Sequence, residues 1–100
     1  MASTTRKTAA VICEIMEARA IRLGADELRP SWRKGKKWAV CYKARWIHFG
    51  ARGYEDFSQH GDPVRRASYR RRHAGILLAN GQPAYKDKTK PAYWAYHVLW

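Results

Sequence analysis

Five arginines fall within the eight residues from Arg65 to Arg72, inside the stretch DPVRRASYRRRHAG that runs from Asp62 to Gly75. Asp62 followed by Pro63 is a helix-start pair: the carboxylate can accept the first free N–H groups, and proline fits the first helical position, where no N–H is needed. Gly75 supplies a stop. At about 100° per residue, Val64, Ala67 and Ser68 share one narrow sector, and Arg71 falls among them. The pattern therefore predicts a real helix with only a thin apolar strip near Val64 and Ala67. Its arginines are expected to face water, acidic side chains or phosphates.

That helix belongs to a strongly charged middle. Residues 29–73 hold 13 of the 20 Lys/Arg and three of the eight Asp/Glu, whereas the segments on either side are close to neutral. The whole chain carries +12 over 100 residues. So large an imbalance strains a compact chain by self-repulsion and points to a polyanionic partner: nucleic acid first, then an anionic membrane surface or an acidic protein. The chain is not a disordered basic tail, because 46% of its residues are hydrophobic and five are tryptophans, enough to build a modest core. No apolar stretch approaches the roughly 18 residues a spanning helix needs. The N-terminal apolar run is short and broken by Glu14 and Glu17, unlike a secretion signal. Cys13 and Cys41 lie outside any zinc-binding spacing and read as reduced thiols of an intracellular protein.

The fold class expected is α+β. Residues 1–28 read as an amphipathic helical arm, capped at Ser3, Thr4 or Thr5 and closed by Gly24, with Ile12, Ile15, Met16, Ala20 and Leu23 on one stripe. Arg6 and Lys7 sit at the positive end of its dipole, where cations are disfavoured. The segment GADELRPSWRKGK reads as a connector. Residues 29–100 then form a small basic domain. In it KKWAVCYKARWIHFG makes a β-hairpin in which Trp38, Val40 and Tyr42 alternate with Ala39 and Cys41, and Trp46 and His48 with Ile47 and Phe49. The turn at Lys43-Ala44 lacks the usual Asn-Gly signal, so its register is open. After the arginine helix and the short apolar run Ile76-Leu77-Leu78, PAYWAYHVLW forms a short aromatic C-terminal helix or clamp, either core or an adhesive end.

No catalytic constellation is present: no phosphate-binding glycine loop, no nucleophile elbow, no paired zinc histidines. Glu55, Asp56, His60 and Asp62 could hold a divalent metal, but the same residues also suit turn formation and helix capping. No enzyme activity and no cofactor are expected. The informative cluster is basic and aromatic. Arg33, Lys34, Lys36, Lys37, Lys43, Arg45 and Arg52 interleave with Trp32, Trp38, Tyr42, Trp46 and Tyr54, as on a phosphate-contacting sheet with stacking platforms. With Arg65, Arg66, Arg70, Arg71 and Arg72 of the helix they are the candidate contacts to nucleic acid or to an acidic partner. The plainer alternative makes the rings the hairpin's packed face and the cations its solvated one.

The stretch HFGARGYEDFSQHGDPVRRASYRRRH, with a tryptophan-bearing end in Leu99-Trp100, resembles a family of small basic proteins of large double-stranded DNA viruses of algae and protists. The matching positions are Phe49, Gly50, Gly53, Tyr54, Asp56, Phe57, His60, Asp62, Arg65 (or Arg66), Tyr69, Arg72, His73, Leu99 and Trp100, and the likeness covers about 37–100. Val98-Leu99 stands where the family has paired leucines. The resemblance implies a setting, not a mechanism. In that setting the chain is a structural component of the virion, a minor capsid or inner particle protein that binds other virion proteins and in part packaged double-stranded DNA, and resides in the infected cell during assembly. The alternative is a sequence-nonspecific DNA-binding module using hairpin and arginine helix. Within the motif, Gly50 and Gly53 are expected to fold Tyr54 and Phe57 back onto the hairpin, Asp56 and His60 to hold the loop, and Tyr69, Arg72 and His73 to form a docking face.

Overall fold

The computed structural model describes residues 9–100; the expected caps at Ser3, Thr4 or Thr5 and the cations Arg6 and Lys7 lie outside that range. Helix α1 (Ala9–Arg22) is followed by strands β1 (Glu27–Pro30), β2 (Lys36–Tyr42) and β3 (Arg45–Ala51). Two helices come next, α2 (Phe57–His60) and α3 (Pro63–Ala74), then a 3₁₀ turn at Ala84–Lys86. The last element, α4 (Pro91–Trp94), runs on into a π-helical turn, Ala95–Leu99. The α+β class read from the sequence is the one observed.

The three strands form an antiparallel sheet in the order β1-β2-β3. Strand β1 corrects the reading of GADELRPSWRKGK as a connector. Its register pairs Leu28 with Val40 and Pro30 with Trp38, and Leu28 is almost wholly buried. Four residues are too few to show a period in the sequence. Pro30 is tolerated because it lies on an edge strand, where its missing N–H breaks no ladder.

One face of the sheet carries the core. Val40, Ile47, Phe49 and Leu28 pack with Met16 and Ala20 of α1 and with Tyr93, Trp94, Val98 and Leu99 from the C-terminal end. The stripe predicted on the first helix thus faces the core, with Met16 and Ala20 buried and Ile12, Ile15 and Leu23 half-buried against it. The last turn of the helix is held by Arg19, which donates to the Val98 main-chain oxygen at 3.0 Å, and by Lys88, which donates to that of Leu23 at 2.8 Å. Both place a cation at the negative helix end. Gly24, at φ +107°, closes the helix in the left-handed region. The aromatic terminus is core: Trp94 is fully buried and its indole N–H reaches the Lys88 main-chain oxygen at 2.8 Å.

The hairpin register is set by a two-residue turn, with Tyr42 opposite Arg45. Lys43 and Ala44 both adopt positive φ, 51° and 63°, the geometry that matches the twist of paired strands but is normally supplied by Asn-Gly. A side chain in this region costs about 1 kcal/mol. Lys43→Asn combined with Ala44→Gly is therefore expected to raise the unfolding free energy by about 1 kcal/mol, measured by urea denaturation. An unchanged midpoint would show that the turn carries no strain. Gly50 is a second constrained point. At φ +83° a Cβ there would come within 3.0 Å of Leu99 Cδ1 and 3.2 Å of Lys37 Cβ, so the strand end and the C-terminal turn meet through a residue without a side chain.

Candidate nucleic-acid interface

Alternation gives the sheet a second face. Arg29 lies opposite Ala39 and Glu27 opposite Cys41; Ala39 in turn lies opposite His48 and Cys41 opposite Trp46. The middle strand thus contributes only small residues between the rings of β3 and the charges of β1. Trp32, from the loop between β1 and β2, stands against this face. Its ring is 5.0 Å from Trp46 at 76° and 4.7 Å from His48 at 84°. The Arg29 guanidinium lies 5.3 Å from the Trp46 centroid and pairs with Glu27. Trp32 itself is 61% exposed.

The loop that carries Trp32 is braced at each end. Ser31 N–H donates to the Lys37 main-chain oxygen at 3.0 Å, and Lys36 N–H to that of Arg33 at 3.2 Å. Arg33 N–H donates to Ser31 Oγ at 3.0 Å, and Ser31 Oγ lies 2.8 Å from His48 Nδ1. Arg52 N–H donates to the Gly35 oxygen at 3.0 Å, and its Nε to that of Lys36, also at 3.0 Å. Burial holds the His48 imidazole below the ordinary histidine range, and the charges of Arg33 and Lys36 press it in the same direction. His73 and His97 are lowered too, each mainly by burial. All three signs agree. The folded chain binds protons more weakly at these sites than the unfolded chain, so the stability they lend is complete above about pH 6.5 and is lost as the pH falls below it. The melting temperature is expected to drop between pH 7.5 and pH 5, and a flat profile would count against neutral imidazoles in the fold.

The candidate cations divide by position. Arg33 and Lys34 are exposed on the Trp32 loop, and Lys36 is half-buried beside them. Lys43 and Arg45 are exposed at the hairpin end. Lys37 is turned inward: its ammonium donates to Asp56 Oδ2 at 2.7 Å, to Gln59 Oε1 at 2.6 Å and to the Tyr54 main-chain oxygen. On α3, Arg65 pairs with Glu55 at 3.1 Å, Arg72 donates to Ser68 Oγ at 3.1 Å, and Arg71 is exposed. Arg66 and Arg70 point into the fold, both donating to the Trp100 main-chain oxygen. Their guanidiniums also lie 4.7 Å from the Phe57 ring and 5.1 Å from the Tyr96 ring.

This inward face differs from the strip the sequence suggested. Val64 is 76% exposed and Ala67 is exposed. The side of α3 that docks is Arg66, Tyr69, Arg70 and His73, because guanidinium planes and aromatic rings stack on rings from distant segments. Tyr69 stacks on Trp100 at 4.1 Å and 5°, and His73 on Tyr69 at 3.8 Å and 19°. Burial pushes the Tyr69 phenol up to about 12. Of the expected docking trio Tyr69, Arg72 and His73, only Arg72 faces outward. Tyr54 is likewise exposed rather than folded onto the hairpin, and the loop uses its main-chain oxygen instead of its ring.

The acidic cluster works as caps and partners. Asp56 caps α2 in a box with Gln59, Asp62 accepts from the Val64 and Arg65 N–H groups, and Glu55 holds Arg65. His60 Nδ1 accepts from the Asp62 N–H at 2.9 Å. Among the described residues no three His, Cys, Asp or Glu side chains converge as metal ligands, and no helix is long and apolar enough to cross a membrane. Cys13 and Cys41 are free thiols, with Cys13 raised by burial and then by Glu17 and Glu14.

Sequence reasoning counted Arg29 in the basic stretch without singling it out, and left Trp32 and Trp46 open between stacking platforms and the hairpin's packed face. The signal for Trp46 was its parity with His48, opposite to Ile47 and Phe49. Trp32 had none, since it lies in a loop. Residues 27–73 match the model of a family described as a family of unknown function (DUF5754). The similarity takes in the sheet, α2 and nearly all of α3, and omits α1 and the aromatic C-terminal end. No curated protein and no solved structure matches the chain.

Proposed function

We propose that this chain is a non-enzymatic, sequence-nonspecific nucleic-acid-binding protein that engages phosphates through its outward cations. One observation carries the reading. The acids near the arginine helix are engaged within the chain, Asp56 by Lys37, Glu55 by Arg65 and Asp62 as a helix cap, and Arg33, Lys34, Lys43, Arg45 and Arg71 pair with no carboxylate among the described residues. Cations held apart on a rigid scaffold and left without counter-charges suit a backbone of regularly spaced phosphates, where affinity comes from counterion release. Titration of a duplex DNA by fluorescence anisotropy tests it. With about four phosphate contacts, binding is expected to weaken roughly 100-fold between 50 and 200 mM salt. No binding at 50 mM salt overturns the proposal.

A second reading, a minor structural component of a large DNA virus particle, rests on the resemblance of 37–100 and on one surface feature. Ile76 and Leu77 are 46% and 60% exposed after α3, an apolar edge suited to a neighbouring protein. Mass spectrometry of purified particles of a virus encoding the chain, stripped layer by layer, tests this reading. Absence from every layer removes it. The two readings are compatible, since an inner particle protein can touch the packaged genome.

A further inference from the structure

We propose that the outer face of the sheet is a binding site for unpaired nucleotides, in which Trp32 stacks on a base and Arg33 and Lys34 hold the flanking phosphates. The inference rests on the nucleic-acid reading above and adds the strand state of the ligand. A cation cluster alone would bind any polyanion; the exposed ring at its centre is what discriminates.

A tryptophan 61% exposed on a folded chain leaves a large apolar surface in water. Here that surface is presented in a fixed orientation. The ring makes near-perpendicular contacts with Trp46 and His48, and the loop beneath it is tied by main-chain hydrogen bonds at Ser31, Arg33, Gly35 and Lys36. Ser31 and His48 are both buried and bonded to each other, so the ring stands on a rigid base. Little ordering would be needed on binding, which is what a stacking platform requires.

The charges fit the same ligand. Arg33 and Lys34 follow Trp32 directly in sequence and are exposed. A ring with cations beside it is complementary to a base with phosphates on both sides. In a duplex the faces of the bases are covered by their neighbours, so Trp32 can stack only on a single strand, a gap or an end. The site therefore favours single strands, while Lys43, Arg45 and Arg71, lying elsewhere, bind phosphates regardless of strand state.

The experiment uses the full chain with a fluorescein-labelled 12-nucleotide oligo(dT) and a 12-base-pair duplex. The wild type is expected to bind the single strand more tightly. Trp32→Ala should lose roughly tenfold or more for oligo(dT) and little for the duplex, with an unchanged salt slope because stacking carries no charge. Trp32→Phe should retain most of the affinity, whereas Arg33→Gln with Lys34→Gln should lower the slope for both ligands. Equal affinity of Trp32→Ala and wild type for oligo(dT), or a preference for duplex, overturns the stacking site and leaves phosphate binding standing. Failure of both ligands to bind at 50 mM salt removes the nucleic-acid reading itself. Near-UV circular dichroism checks that the variants fold. Independently of any variant, photocrosslinking wild type to a 5-bromouracil oligonucleotide should label the peptide containing Trp32, and a label confined to other peptides overturns the site.

Discussion

Lys37→Ala is expected to cost about 3–5 kcal/mol of folding stability while changing the affinity for DNA little. By sequence Lys37 is one more cation of a basic hairpin. In the fold its side chain is 16% exposed and its partner Asp56 only 4%. The ammonium joins β2 to the segment after β3 through Asp56, Gln59 and the Tyr54 oxygen. Asp56 uses its other carboxylate oxygen to accept from Ser58 N–H at 3.0 Å. Removing the lysine leaves a buried carboxylate without its counter-ion, the costly half of breaking a buried pair. For a domain whose total stability is on the order of 5–15 kcal/mol, that is a large fraction. Lys37→Met with Asp56→Asn should recover most of the loss, because the asparagine still caps α2 and no charge is stranded. Urea denaturation of both variants measures the loss and its recovery. A Lys37→Ala protein of normal stability and weakened DNA binding would instead make this lysine a phosphate contact.

The contrast between Lys37 and Lys34 shows where sequence stops being informative. Both look alike in the basic run; one is tied to a carboxylate nineteen positions away and the other is exposed. What could be read locally was read well: Asp62-Pro63 starts α3, Gly24 ends α1, and the two-residue alternation of β2 and β3 separates their faces. What failed depended on distant partners. Strand β1 exists because Leu28 finds Val40, and four residues carry no period. The aromatic end did not fail but stood open between core and an adhesive end, and it is core because α1 and the sheet leave room for Trp94 and Leu99. The candidate face was half visible, in the parity of Trp46 and His48, but the loop ring of Trp32 that completes it has no pattern of its own.

The arginine helix is the sharpest case, and Trp100→Ala tests it. No residue of α3 is buried, and twelve residues so rich in charge are too short to hold a helix alone in water. The helix is attached by one aromatic column, in which His73 lies on Tyr69 and Tyr69 on Trp100, with the His60 ring 5.2 Å beyond. Two arginines clamp the same residue from the side: Arg66 Nε lies 2.7 Å and Arg70 Nη2 3.0 Å from the Trp100 oxygen. Deleting the indole removes the surface on which Tyr69 rests, and the expected cost is about 3 kcal/mol. The loss should be local. Amide exchange of 63–74 should accelerate strongly while β2 and β3 keep their protection. Tyr69→Ala should behave alike, and Tyr69→Phe should stay near wild type because the stack needs the ring. Protection of α3 unchanged in Trp100→Ala would mean that the two arginine clamps hold the helix without the stack. The same variant also separates the two duties of the arginines. When α3 loosens, Arg66 and Arg70 become free to meet phosphates, so DNA affinity should hold or rise as stability falls. A surface built only to bind would lose both together.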